Sequence, residues 1–307
     1  MYRGILYMLL SSTSFALVNI VIKVLSGHQL SIEGDHPFSD IQKYPVFELV
    51  FFRSVVSLSI CIAIIRSRKI PFFGNNHRWL LTRGLAGVTS LSLFFFTLQN
   101  LPMAVATTVQ YLSPIFTVFF AIYLVRQSVR PIQWLFFLIA FAGVAVIGFD
   151  KGEVGKEIEG IWLVTGLLSA IISGLAYNAI IKCSNTDEPI TVVMYFPLVA
   201  TPIMLGLSLY FGYVIPQGIE WLLLLLIGVL TQIAQVTMTK AFNAAAASRI
   251  TPIKYVGAIY AVAIGIFLFD ENLGLYSSLG IILILIGVLL NTFLKSLRQA
   301  GKKESYD

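Results

Sequence analysis

The segment "VQYLSPIF" (109–116) returns 144 residues later as "IKYVGAIY" (253–260), pairing Tyr111 with Tyr255 and Gln110 with Lys254. The same displacement aligns "AGVAV" (142–146) with "IGVLL" (286–290) and "FFRSVV" (51–56) with "YFPLVA" (195–200). Trp79 and Trp221 recur at a shift of 142 residues. "NIVIK" (19–23) and "NAIIK" (178–182) recur at 159, the excess falling in the long segment 27–45. Any one of these matches is weak, because apolar segments resemble each other by chance. Five in the same order along one chain point to a duplication, with units 1–150 and 151–307.

The material between the matches decides the fold class. The chain is 57% apolar and only 12% charged over 307 residues. Soluble domains carry about 25% charge, so this composition belongs to a membrane protein. The apolar residues fall in blocks near the ~17–25 residues that cross a bilayer as helix. Ten blocks are expected, at roughly 4–26, 46–65, 79–99, 102–124, 131–149, 160–182, 190–213, 221–239, 249–269 and 274–294. The first exceeds the ~7–15 residues of a signal-peptide core and lacks a small-x-small cleavage site, so it is expected to remain. The predicted fold is all-α integral membrane, with ten transmembrane helices.

Five helices per unit is an odd number, so the two units cross the membrane in opposite senses. Charge supports this arrangement. With the N-terminus in the cytoplasm, fourteen lysines and arginines fall in cytoplasmic segments or helix edges, against Lys43, Lys151 and Lys156 outside. That bias places both termini in the cytoplasm. Inverted repeats enclosing a midplane site are a transporter signature. Cys61 and Cys183 suggest neither a disulfide framework nor a metal site, and the three histidines show no metal-ligand spacing. Walker loops, paired acid/base carboxylates and nucleophile triads are missing, so neither an enzyme nor a cofactor is expected.

The segment "RGLAGVTSLSLFFFTLQNLPMAVATTVQYLSPIFTVFFAIYL" (83–124) carries a family likeness, as does "NAAAASRITPIKYVGAIYAVAIGIFLFDENL" (243–273), which ends in Glu271. Nearly the whole chain resembles the ten-helix EamA-type branch of the drug/metabolite transporter superfamily. The shared features are an arginine-glycine start to helix 3, a short turn into "LPMAVATT", and a proline in helix 4 after a polar patch. Two departures stand out: Gln127 replaces the first copy's usual glutamate, and Ala258 stands opposite Pro114. The resemblance implies a secondary transporter of small organic metabolites with helices 4 and 9 lining a central cavity. Helices 3 and 4 are also similar to bacterial S-adenosylmethionine uptake carriers.

The residues themselves supply site candidates. Pro114 removes a backbone bond inside helix 4, which puts Gln110 and Tyr111 on a weakened turn. Their symmetry mates are Lys254 and Tyr255. Asn19 and Asn178 lie near the middle of helices 1 and 6, as cavity liners or as interhelical glue. Arg53, two turns into helix 2, either pairs with Glu48 or meets substrate. Tyr177 and Gln235 are further liners, each with packing as the alternative. Glu48 is the sole acid inside a predicted span, hence the candidate for coupling. Lys23 is expected at a helix end favoured by the macrodipole, and Arg83 is expected to snorkel to the cytoplasm. Gly84, Gly87, Ser169 and Ser173 give small faces for close helix packing.

The expected activity is secondary-active, alternating-access transport of an amino acid, organic acid or nucleotide-like solute. An S-adenosylmethionine-type uptake carrier is the alternative, followed by a membrane-embedded enzyme or a channel. The expected partners are a small-molecule substrate and the lipid bilayer, with no nucleic acid; a homodimer is compatible with the sequence. The expected location is the cell membrane, as in a bacterial inner membrane.

Overall fold

The computed structural model describes residues 2–29, 41–124, 131–149, 159–183, 186–244, 253 and 255–303. Lys254 and Gln127 therefore lie outside the described residues. Among those described, helix is the only regular structure. The helices are α1 (Tyr2–Leu25), α2 (Val46–Arg68), α3 (His77–Asn100), α4 (Met103–Gln110), α5 (Ser113–Leu124) and α6 (Pro131–Ile147). They continue as α7 (Gly160–Cys183), α8 (Pro189–Phe211), α9 (Glu220–Ala244), α10 (Val256–Phe269) and α11 (Leu275–Lys303). Seven helical stretches are long and apolar enough to cross a membrane, one of them being α4 and α5 together, Met103–Leu124. Pro131–Ile147, Val256–Phe269 and Leu275–Leu290 are shorter apolar helices.

Large apolar side chains cover the outside of the bundle, among them Leu138, Phe267 and Leu209. A soluble protein rarely exposes so broad an apolar surface, whereas hydrocarbon is its natural solvent. Polar residues go inward instead: Asn178, Thr108, Glu48 and Ser169 are fully buried. At the centre lies α4, in which every residue from Met103 to Val109 is buried.

Pro114 acts as its position predicts. The helix stops at Gln110 and restarts at Ser113. Tyr111 closes α4 with φ −69° and ψ −3°. Tyr255 precedes α10 with nearly the same backbone, φ −72° and ψ −8°. The later segment reaches that conformation with Ala258 at the position that matches Pro114 in the 144-residue register.

Helix pairings follow a pattern. α1 packs on α9 as α7 packs on α3, and α2 packs on α9 as α8 packs on α3. α2 with α8, α6 with α11 and α4 with α10 pack on each other. Individual contacts repeat in the 144-residue register. A Cβ added at Gly143 would lie 2.6 Å from the Gly280 carbonyl oxygen and 2.9 Å from the Ile284 nitrogen. One added at Gly287 would lie 2.6 Å from the Phe136 carbonyl oxygen and 2.8 Å from the Ala140 nitrogen. In that register Gly143 corresponds to Gly287, Gly280 to Phe136 and Ile284 to Ala140. The α1–α9 bond from Ser11 Oγ to the Ala234 carbonyl, 2.8 Å, is echoed between α7 and α3 by Ser169 Oγ to the Ser90 carbonyl, 2.7 Å. The predicted small faces are used in this way: Gly84 lies against the Tyr195 carbonyl and Val199 of α8, and Ser169 and Ser173 lie against Ser90.

Outside the helices, Asp187 holds the loop before α3. It accepts hydrogen bonds from the backbone N–H groups of Asn75 and Asn76 and from the Thr186 hydroxyl. Burial alone would raise its carboxyl pKa, but these donors outweigh it and hold the pKa below the ordinary value. A depressed folded pKa means that the contact stabilises above the unfolded value of about 3.9 and is lost as pH falls through the folded one.

Two outcomes follow from this packing. Gly143→Leu and Gly287→Leu should each lower thermal stability in detergent, by about 1–3 kcal/mol as for overpacked cores. Gly206→Leu, where the added Cβ meets nothing within 4 Å, should be close to neutral in the same melt. Amide protection at Asn75 and Asn76 should persist at neutral pH and disappear in acid. Asp187→Asn should remove that acid dependence in a hydrogen-exchange series.

Candidate functional site

The two candidate tyrosines meet. The rings of Tyr111 and Tyr255 stand edge to face with centroids 5.3 Å apart, a geometry that the ring quadrupoles favour. The Tyr111 hydroxyl is seated against Gly257, where a Cβ would strike it. Beside the pair a small cavity of about 40 Å³ lies between α1, α4, α9 and α10. Ser11, Ser12, Asn19, Thr107, Tyr111 and Met238 are among its lining residues. The Ser11 and Thr107 hydroxyls are already bonded to backbone carbonyls. The Ser12 hydroxyl is buried with no partner. Its walls are therefore mixed, with hydroxyl and amide groups beside Phe15, Ala16 and Ala261.

The other polar candidates separate by role. The Gln110 amide donates to Ser173 Oγ at 2.8 Å and accepts from Ser169 Oγ at 2.8 Å, so both its ends bind α7. Asn178 donates to the Thr117 and Gly174 carbonyls, each at 2.9 Å, tying α7 to α5. These two amides hold the interrupted helix against α7. Asn19, the sequence mate of Asn178, instead lines the cavity. Tyr177 on α7 lies within electrostatic reach of both Arg83 and Tyr111. Gln235 is half-buried on α9.

Arg53 and Glu48 do not form the ion pair that their spacing suggested. One helical turn is 3.6 residues, so an i, i+5 pair diverges around the helix. The Glu48 carboxylate turns to the Val214 backbone N–H, 3.0 Å away, and its other oxygen is buried without a partner. Arg53 is buried and donates from Nε to Thr231 Oγ1 at 3.0 Å. Its guanidinium lies 5.3 Å from the Phe196 ring centroid and 5.8 Å from that of Phe95.

Arg83 also departs from expectation. Its guanidinium runs along its own helix to the bare Cα of Gly87, away from the α3 N-terminus, and lies 5.6 Å from the same Phe196 ring. Snorkelling would have taken it the other way. The sequence signal was the glycine four residues on, which clears the path for the side chain. A cation at membrane depth costs about 2.5–3.5 kcal/mol on insertion scales. A desolvated cation–π contact returns about 2 kcal/mol, so the rings offset only part of the cost.

A third cluster was not foreseen as a unit. Lys23 sits in the last turn of α1, as expected, but it is buried there and forms an ion pair with Glu271. Lys23 Nζ also donates to the Leu101 carbonyl at 3.3 Å and lies 5.4 Å from the Phe269 ring. Both Glu271 oxygens accept the Met103 N–H, at 2.9 and 2.8 Å. An acid there satisfies an orphan donor at the start of α4 and complements the helix dipole. The cluster joins the ends of α1 and α10 to the start of α4. Met103 also lines the cavity, so this latch lies next to it.

Comparison with known proteins agrees with this architecture. The EamA-like transporter family matches residues 2–149 and 160–293. The pseudopaline exporter CntI of Pseudomonas aeruginosa is 27% identical over 270 residues, covering 87% of this chain and 88% of that protein. A riboflavin transporter of Rhizobium johnstonii is 25% identical over 252 residues, covering 81% and 77%. Solute carrier family 35 member G1 of Mus musculus is 24% identical, covering 87% and 72%. A protein crystal structure with 19% sequence identity superposes with a TM-score of 0.64, covering 97% of this chain and 99% of that one, and speaks for the fold alone. With both halves matched and its relatives named as transporters of the membrane, the chain belongs to the EamA-like transporter family.

Proposed function

We propose that this protein is a secondary-active carrier that moves a small polar metabolite across a bacterial inner membrane by alternating access. It consists of two five-helix repeats, 1–150 and 151–307, inverted across the bilayer. Support comes from contacts recurring in the 144-residue register, above all Gly143 on Gly280 and Gly287 on Phe136. The excess of lysine and arginine on one side of the predicted topology puts both termini in the cytoplasm.

The observation that carries the reading is the meeting of Tyr111 and Tyr255. Equivalent residues of the two repeats meet, ring centroids 5.3 Å apart, beside a cavity with mixed polar and apolar walls. A site built from both repeats changes shape when one repeat rocks against the other, which is what a carrier needs. Substrate contacts fall to Tyr111, Tyr255, Asn19, Tyr177 and Gln235, with Lys254 beside Tyr255 in sequence. Arg53 supplies positive charge, which favours amino acids, organic acids or nucleotide-like solutes. Glu48, buried with one oxygen unpartnered, is the coupling candidate. In this orientation the latch of Lys23, Glu271 and Met103 closes the outer end of the cavity.

Proteoliposomes offered a panel of labelled amino acids, dicarboxylates and nucleotides, with and without a pH gradient, should accumulate at least one class. Tyr111→Ala should abolish that uptake while the protein still folds. Failure of every solute to move would overturn the carrier reading. The latch has its own measurement. Thr107→Cys, in a chain lacking Cys61 and Cys183, should react slowly with an impermeant thiol reagent added outside. Glu271→Gln should speed that labelling by at least about tenfold, equivalent to 1.4 kcal/mol off the closed state.

A further inference from the structure

The carrier reading does not explain why two guanidinium groups converge on one phenylalanine. Arg53 comes from α2 and Arg83 from α3, and both lie within cation–π distance of Phe196 on α8. Arg53 Nη1 and Arg83 Nε are buried with no hydrogen-bond partner. No carboxylate among the described residues pairs with either group; the ion pair found there joins Lys23 to Glu271. Two like charges facing one ring repel each other, and the ring cannot accept the in-plane N–H donors. Such donors are satisfied by oxyanions, for which the planar guanidinium fork is shaped.

We propose that Arg53 and Arg83 form an anion-binding site at membrane depth, taking the carboxylate or phosphate group of the transported solute. This deepens the carrier reading and rests on it. The solute's oxyanion takes the free N–H groups of the two arginines. Tyr177 interacts electrostatically with both Arg83 and Tyr111. Phe196 lies within cation–π distance of both cations, 5.3 Å from Arg53 and 5.6 Å from Arg83. Pro197, the next residue, leaves α8 a backbone bond short and gives this ring a point of movement.

The test is a binding measurement that needs no transport. The full-length protein, purified in neutral detergent, is titrated with sodium succinate and with sodium phosphate at ionic strength held constant with sodium chloride. Thermal stability is read at each step. The expected result is a saturable rise in melting temperature with at least one of the two oxyanions. Arg53→Gln and Arg83→Gln should each weaken the half-saturating concentration at least tenfold. Arg53→Lys and Arg83→Lys keep the charge and serve if the glutamine variants do not fold; they should weaken it by a smaller factor.

A second arm repeats the titration in nanodiscs of phosphatidylcholine, with phosphatidylglycerol added in place of the soluble anions. Stabilisation by phosphatidylglycerol alone would assign the arginines to a lipid headgroup and overturn the proposal. So would absence of any oxyanion effect on the wild-type protein, or lysine variants that bind as the wild type does. Each of these outcomes is independent of whether a solute moves in proteoliposomes, so the carrier reading and the anion site can fail separately.

Discussion

A broken helix cannot face lipid. Its unpaired backbone groups need protein or water around them, and most of the architecture follows from meeting that need at α4. Each residue from Met103 to Val109 is buried, and the ends of the segment are satisfied by other elements. Glu271 takes the N–H at its start, and Ser169 and Ser173 hold Gln110 at its end. Helices α3, α7, α10 and α11 therefore surround it. Gly174 lets the α7 backbone approach Phe116, and Gly257 makes room for the Tyr111 hydroxyl. A side chain at either glycine would push the surrounding helices off the interruption.

The same packing concentrates polar chemistry along one line. The latch, the cavity and the tyrosine pair follow α4 from its start to its break. The two arginines meet at Phe196 on α8. Outward-facing positions of the described helices are mostly apolar. The arrangement is economical in a bilayer, where each polar group must find a protein partner or a water-filled space. Polar residues gather where others already are.

Some of this was legible in the sequence. The pairing of Tyr111 with Tyr255 is legible in the 144-residue shift, and the structure brings the two rings into contact. The helix break came from Pro114, whose effect on the backbone is local. The small faces of α3 and α7 were readable from spacing alone. The roles of individual charges were not. Arg83, one turn inside α3, is placed by its long stem within snorkelling reach of the cytoplasm; the bare Gly87 lets it run the other way. Gln110 and Asn178 could be recognised as polar at depth, but not as bonded, since their partners lie on other helices. The separation of Lys23 from Glu271 by 248 residues left no pattern to read.

The sequence by itself determined the solvent of this protein, its all-helical class and its family. Hydropathy acts over single segments, and the family's motifs are written in residue order. Tertiary structure decided which polar residues bond across helices and which line a cavity. Gln110 and its neighbours were equivalent candidates until the serines of α7 were placed beside them. Hydrogen bonds and ion pairs act over about 3 Å, a distance that residue order cannot supply for side chains on different helices.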